Sequence, residues 1–75
     1  MVKKNKVAGN KTKFCNRLKT LRFEKSYKQE EVAKKLGIPP STYANWEQGR
    51  TEPSIEDIYK LSEVFNVDAN ELFDI

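Results

Sequence analysis

The chain has 75 residues, of which 37% are hydrophobic and 33% are charged, so it has room for one small domain with a modest core. It contains no histidine and one cysteine, which excludes an internal disulfide, a protein zinc site and a histidine-based catalytic triad. Its net charge of +3 is divided unevenly, with +5 in residues 1–13, +4 in residues 14–50 and −6 in residues 51–75. A polyanionic partner for the first two thirds would explain this division, whereas a tail kept only for solubility would leave the acidic last third unexplained.

Composition also indicates the cellular compartment of the protein. No apolar stretch approaches the ~20 residues of a membrane span, and the basic start lacks the apolar run of a secretory signal. The single thiol, Cys15, fits a reducing compartment. We therefore expect a cytoplasmic protein that makes no membrane contact.

Residues 1–13 are predicted to form a flexible basic arm, and residues 14–75 the folded domain. The arm carries five lysines, no acid and few apolar residues that could anchor it. It could embrace a nucleic acid specifically or add only nonspecific attraction, and the sequence leaves both open.

Two helices are predicted after the arm. Phe14, Leu18 and Leu21 recur at the spacing of one helix stripe. A second helix is predicted from about Lys28 to Leu36, and Gly37 follows it where a left-handed residue would end it.

The third helix is predicted to run from Pro40 to about Gln48. Pro40 suits the first helical position, and the residue before it, Pro39, is biased towards extended backbone. Gly49 then ends the helix.

A fourth helix begins at a capping box with an acidic third position, Ser54 to Asp57, and a similar box at residues 68–71 predicts a short last helix. The buried stripe of the fourth helix is expected to hold Ile55, Ile58, Leu61 and Phe65. Five short helices and no strand pattern predict an all-α fold.

The second and third helices, joined by a short turn that contains Gly37, have the form of a helix-turn-helix unit. Ala33 is small where the two helices must approach closely. The outward side chains of the third helix are then short and uncharged, so this face can enter a DNA major groove without repelling phosphates. This face consists of Pro40, Ser41, Thr42 and Asn45.

The pattern resembles the phage Cro/repressor, or xenobiotic-response-element, family of helix-turn-helix proteins. The similarity covers roughly residues 14–73, and it implies a five-helix, phage-repressor-like DNA-binding domain. The matching residues are Gln29–Ile38, Ser41–Tyr43 and Trp46–Gly49, with Leu21, Arg22, Pro53, Ser54, Ile55, Leu61, Phe65, Val67 and Leu72 around them.

The resemblance implies roles for two groups of residues. Pro40, Ser41, Thr42 and Asn45 are expected to contact bases: asparagine can bond adenine through two edge atoms, and Pro40 can offer only apolar contact, as to a thymine methyl. The residues expected to contact phosphates are Lys28, Gln29, Gln48 and Arg50.

The resemblance also implies a partly buried ion pair, Arg22 with Glu47, that ties the first helix to the third. Trp46 is expected in the core rather than stacked on a base. Tyr43 is expected to pack, although its hydroxyl could reach a phosphate.

Four positions depart from the family pattern. Pro39 and Lys28 replace capping Ser or Thr residues, Ser26 replaces a glycine, and Tyr43 replaces a β-branched aliphatic residue. The loss of a hydroxyl cap costs ~1 kcal/mol, and proline rigidity offsets part of that cost.

The function implied is a dimeric transcriptional repressor on a near-palindromic double-stranded DNA operator, because one recognition helix contacts few bases. The homodimer interface is expected in the acidic last third, at Val67, Ala69, Leu72 and Phe73. No cofactor, metal or small-molecule ligand is expected. Enzymatic activity is not expected either, since the sequence contains no metal constellation and no phosphate-cradling glycine loop.

Two alternatives stay open. An antitoxin-like module would use the same fold to hold a partner protein through its C-terminal surface. A restriction-modification controller would be a further member of the DNA-binding class.

Overall fold

The computed structural model describes the backbone of residues 2–73 and the side chains of residues 13–73. These residues form five helices, α1 (Val2–Glu24), α2 (Gln29–Leu36), α3 (Pro40–Gln48), α4 (Ile55–Phe65) and α5 (Ala69–Phe73), and no strand lies among them. The predicted all-α fold is therefore confirmed. Helices α2 to α5 lie where the sequence placed them, whereas α1 begins well before its predicted start near Phe14. None of the helices in this range is long and apolar enough to cross a membrane.

Helix α1 begins at Val2, so its backbone takes in most of the segment that the sequence predicts as a basic arm. The side chains of residues 1–12 lie outside the described residues. The role of the arm therefore stays a prediction.

Residues with left-handed backbone end α1 to α4. Gly37 (φ 76°) and Gly49 (φ 77°) directly follow α2 and α3, as predicted. Asn66 (φ 57°) directly follows α4, and Ser26 (φ 60°) is the second residue after α1. At Ser26 the backbone N–H donates to the Phe23 carbonyl at 3.0 Å, and the next N–H reaches back to Arg22 at 3.0 Å. This bonding satisfies the last carbonyls of the helix.

Carboxylates in the first turn cap the starts of α2 and α4. In α4 the Ser54 Oγ accepts from the Asp57 N–H at 3.1 Å and the Asp57 carboxylate accepts from the Ser54 N–H at 3.0 Å, so the predicted capping box is present. Helix α2 begins without a hydroxyl cap; there the Glu31 carboxylate accepts from the Lys28 N–H at 2.7 Å. An acidic first turn also complements the positive end of the helix dipole.

One continuous core joins all five helices. Helix α3 packs against α1 and α2, α4 packs against α2, and α5 closes the bundle against α1 and α4. The buried hydrophobic cluster contains Leu18, Leu21, Val32, Ala33, Leu36, Tyr43, Trp46, Leu61, Phe65 and Leu72. Tyr43 and Trp46 thus lie in the core. Because Tyr43 has no exposed surface, its hydroxyl cannot reach a phosphate.

The expectation that Ile55 is buried is wrong. Leu61 and Phe65 are fully buried, but Ile55 is 76% exposed. At roughly 100° per residue, Ile55 lies about 120° around the helix from Leu61, which places it towards the edge of a stripe centred on Leu61 and Phe65. As the first residue of α4 it also has no preceding turn to cover it.

Candidate nucleic-acid interface

Helices α2 and α3 form a tight unit that presents one face of α3 outwards. Only residues 37–39 separate the two helices, and Gly37 turns the chain in the left-handed region. Val32 and Ala33 of α2 have no exposed surface. The small Ala33 side chain allows the two helices to approach closely. The geometry is that of a helix-turn-helix.

The outward face of α3 is polar, uncharged and free of internal bonds. Pro40 and Ser41 are exposed, and Thr42 and Asn45 are partly exposed. Among the described side chains, none bonds Ser41, Thr42 or Asn45. Their donors and acceptors can therefore be satisfied by an external ligand, which is what reading base edges requires.

Three longer polar side chains lie exposed at the ends of the helix-turn-helix. Lys28 at the start of α2 is exposed, as are Gln48 and Arg50 at the end of α3. Two acids, Glu30 and Glu31, also lie exposed in the first turn of α2, and Glu31 is engaged with the Lys28 N–H. Long cationic and amide side chains around a groove-sized helix are suited to phosphate contacts.

A buried carboxylate, Glu47, sits behind the outward face and is bonded from two other helices. The Arg22 Nε donates to its Oε2 at 2.7 Å and the Arg22 Nη2 to its Oε1 at 3.2 Å, so the ion pair implied by the resemblance is present. The Gln29 Nε2 donates to the same Oε1 at 2.9 Å. The Glu47 side chain is 1% exposed, and these bonds join α1, α2 and α3 at one point.

The electrostatics of Glu47 keep it charged. Burial of its carboxyl acts to raise the pKa, but hydrogen bonding, with that from Arg22 the largest contribution, and the charge of Arg22 outweigh burial and hold the pKa of Glu47 below its ordinary value. The hydrogen bond to Glu47 likewise raises the pKa of Arg22. Close behind the interface, the only acid of α3 is thus neutralised by a fixed guanidinium.

The role of Gln29 in this network is not visible in the sequence. The sequence predicts this glutamine only at a phosphate, and no local spacing rule connects residues 29 and 47. Because an ionised carboxylate only accepts hydrogen bonds, Glu47 fixes which end of the Gln29 amide faces inwards. One N–H of the amide is used by Glu47, and the second is left for an external acceptor.

Tyr43 carries a buried hydroxyl in the same region. Burial raises the pKa of this phenol, and its oxygen has no hydrogen-bond partner among the described residues. The side chain serves packing, with its ring edge-on to Trp46 at 6.1 Å between centroids.

The surface proposed for dimerisation from the sequence offers little free apolar area. Leu72 is fully buried in the core, so its side chain cannot contact another protein. Phe73 is 43% exposed, yet its ring stacks on Phe14 at 5.2 Å between centroids. Val67 and Ala69 are partly exposed.

The arrangement defines a class: a helix-turn-helix protein whose recognition helix is held by a buried ion pair. The family model described as helix-turn-helix matches residues 18–72, and the chain belongs to this family. The resemblance to phage-type helix-turn-helix regulators is thereby confirmed at the level of the family.

Several relatives are named regulators. The chain is 36% identical over 59 residues to the cryptic phage CTXphi transcriptional repressor RstR of Vibrio cholerae, across 79% of this chain and 53% of RstR, so it spans about half the length of that relative. An uncharacterised helix-turn-helix transcriptional regulator of Archaeoglobus fulgidus is 37% identical, with 76% of this chain and 81% of that protein covered.

Among solved structures, the restriction-modification controller protein C.AhdI of Aeromonas hydrophila is similar with a TM-score of 0.81 and 32% identity, over 87% of this chain and 98% of that one. Nearly the whole controller therefore has a counterpart here.

Proposed function

We propose that the protein is a transcriptional repressor that binds a specific double-stranded DNA operator as a dimer. The observation that carries the proposal is the outer face of α3, where polar side chains without internal partners stand on a helix that Glu47 fixes from behind. The repressor role is supported by the similarity to RstR, which is named a repressor. The cytoplasm is the compartment in which we place it, because its ligand is DNA.

Base reading is assigned to Pro40, Ser41, Thr42 and Asn45. Asn45 can bond the N6 and N7 atoms of an adenine at once, and the hydroxyls of Ser41 and Thr42 can donate to or accept from several base edges. Pro40 at the start of the helix supplies an apolar contact. Each good bidentate pair discriminates against the wrong base by about 1–3 kcal/mol.

Phosphate contacts are assigned to Lys28, Gln29, Gln48 and Arg50. Lys28 and Arg50 are exposed cations at the two ends of the helix-turn-helix. Gln29 begins α2, where unpaired backbone N–H groups favour an anion, and its amide is oriented by Glu47. Such contacts fix register on the duplex without reading sequence.

The test is selection of bound sequences from a random double-stranded DNA pool at a fixed salt concentration, followed by binding of single variants to the selected sequence. We expect a motif with two-fold symmetry, with half-sites about one helical turn, ~34–36 Å, apart. Asn45→Ala and Ser41→Ala should each relax specificity at one base pair of each half-site. Asn70→Ala, an exposed asparagine on α5, is the matched control and should leave the profile unchanged.

A flat selection profile with only salt-sensitive binding would overturn the proposal. The antitoxin-like alternative would then gain, because the acidic last third carries exposed apolar side chains on α4. In that case Asn45→Ala and Asn70→Ala would be equally silent.

A further inference from the structure

Helix α4 exposes two large apolar side chains that nothing in the described chain covers. Ile55 is 76% and Tyr59 62% exposed, and four residues apart they lie on the same face of the helix. The other large exposed hydrophobic residues between 13 and 73 have partners: Phe73 stacks on Phe14, and the Arg22 guanidinium lies 4.7 Å above the Phe23 ring. Ile55 and Tyr59 thus form the unpartnered apolar surface of the described residues.

Two opposite charges flank this surface in a fixed order. Glu56 follows Ile55 and Lys60 follows Tyr59, both exposed, so at roughly 100° per residue the two charges lie on the same side of the apolar pair. Neither forms an ion pair within residues 13–73. An acid one turn before a base on the same flank is self-complementary when the helix meets an antiparallel copy of itself.

We infer that the face formed by Ile55, Glu56, Tyr59 and Lys60, here called the α4 face, binds the α4 face of a second copy of this chain. With the two-fold axis level with residue 58, Glu56 of each copy lies opposite the partner's Lys60, and the two pairs enclose the apolar side chains. A two-fold contact has this reciprocal form. The inference rests on the proposed dimeric function. It replaces the interface expected from the sequence at Val67, Ala69, Leu72 and Phe73, of which Leu72 is buried and Phe73 stacks on Phe14.

The same register avoids repulsion from the remaining acids. At 1.5 Å of rise per residue, Glu63 lies about 7.5 Å from the axis, which is beyond the start of the partner's α4 at Ile55. No acid of α4 in one copy is level with an acid of α4 in the other, although residues 51–75 are acidic overall.

Charge reversal tests the pairing directly. Glu56→Lys makes both flanking positions basic and Lys60→Glu makes both acidic, so each variant alone places like charges opposite each other twice. We expect each to weaken self-association by about tenfold, since exposed pairs are worth little individually but both pairs change sign. An equimolar mixture should re-form a heterodimer, and the double variant E56K/K60E should re-form a homodimer.

The measurement is sedimentation of the full chain without DNA, at concentrations up to about 1 mM so that a weak dimer is populated. Ile55→Ser should also weaken association, while Phe23→Ser and Glu24→Lys, exposed positions on α1, are the matched controls and should not. Circular dichroism checks that every variant remains helical.

A wild-type chain that stays monomeric throughout, or single variants that associate as well as wild type, would overturn the inference. So would a mixture that fails to associate when the wild type does. These outcomes are separate from the function: a monomer that still selects a sequence motif leaves DNA recognition intact, and a dimer with a flat selection profile leaves the α4 contact intact.

Discussion

At the scale of single residues, the most informative position is Ser26, which holds a left-handed backbone (φ 60°) where glycine would be free of strain. A side chain with a Cβ costs roughly 1–2 kcal/mol in that region, and glycine gives back part of the gain through its larger unfolded-state entropy. Ser26→Gly should therefore stabilise the protein by about 0.5–1 kcal/mol, or roughly 2–8 °C in the thermal midpoint.

The matched control is Asn66→Gly, which changes a residue with nearly the same backbone (φ 57°) after α4. Asparagine tolerates the left-handed region better than serine, so the gain in the thermal midpoint should be smaller. A lower midpoint for Ser26→Gly than for wild type would contradict the account of strain.

At the scale of helices, Glu47 is the point at which α1, α2 and α3 are bonded together. Glu47→Ala leaves the Arg22 guanidinium, itself 12% exposed, without its counterion and removes the acceptor of Gln29. Breaking such a pair from one side costs about 3 kcal/mol. We expect a markedly lower melting midpoint and faster amide hydrogen exchange in α3.

The pH dependence of the melting midpoint provides a second test of the role of Glu47. Because the folded-state pKa of Glu47 lies below the ordinary value of 4.5, the bonds stabilise the fold above that value and are lost as the pH falls through the folded pKa. The wild type should therefore lose stability on acidification below about pH 4.5, and Glu47→Gln should show a shallower loss. Parallel curves for the two proteins would show that Glu47 contributes nothing there.

The helices also show how far local sequence signals reach. Glycine stops, the capping box of α4 and the start of α3 at Pro40 depend on neighbouring residues, and the sequence predicted them all. Ile55 was wrongly expected in the core because the spacing of apolar residues locates a buried stripe on the helix but not the edges of that stripe. The bond from Gln29 to Glu47 connects residues that only packing brings together, so no spacing rule could have found it.

At the scale of the whole molecule, the separation of charge predicts how the protein responds to salt. Removing residues 1–12 takes away four lysines but leaves the core of the described side chains, whose first fully buried member is Leu18. Each phosphate that is no longer neutralised by a lysine reduces the magnitude of the negative slope of log affinity against log salt concentration by about 0.9. We expect weaker binding to all DNA and a slope reduced by about 1 or more.

Replacement of Lys3, Lys4, Lys6 and Lys11 by glutamine is the matched variant, since it keeps the chain length while removing the same charge. If the lysines supply only nonspecific attraction, both variants should bind the selected operator and random duplex more weakly by the same factor, because counterion release does not depend on sequence. A larger decrease on the operator would instead show that the arm embraces the specific site. An unchanged slope and affinity for both variants would mean that the first twelve residues play no part in binding DNA.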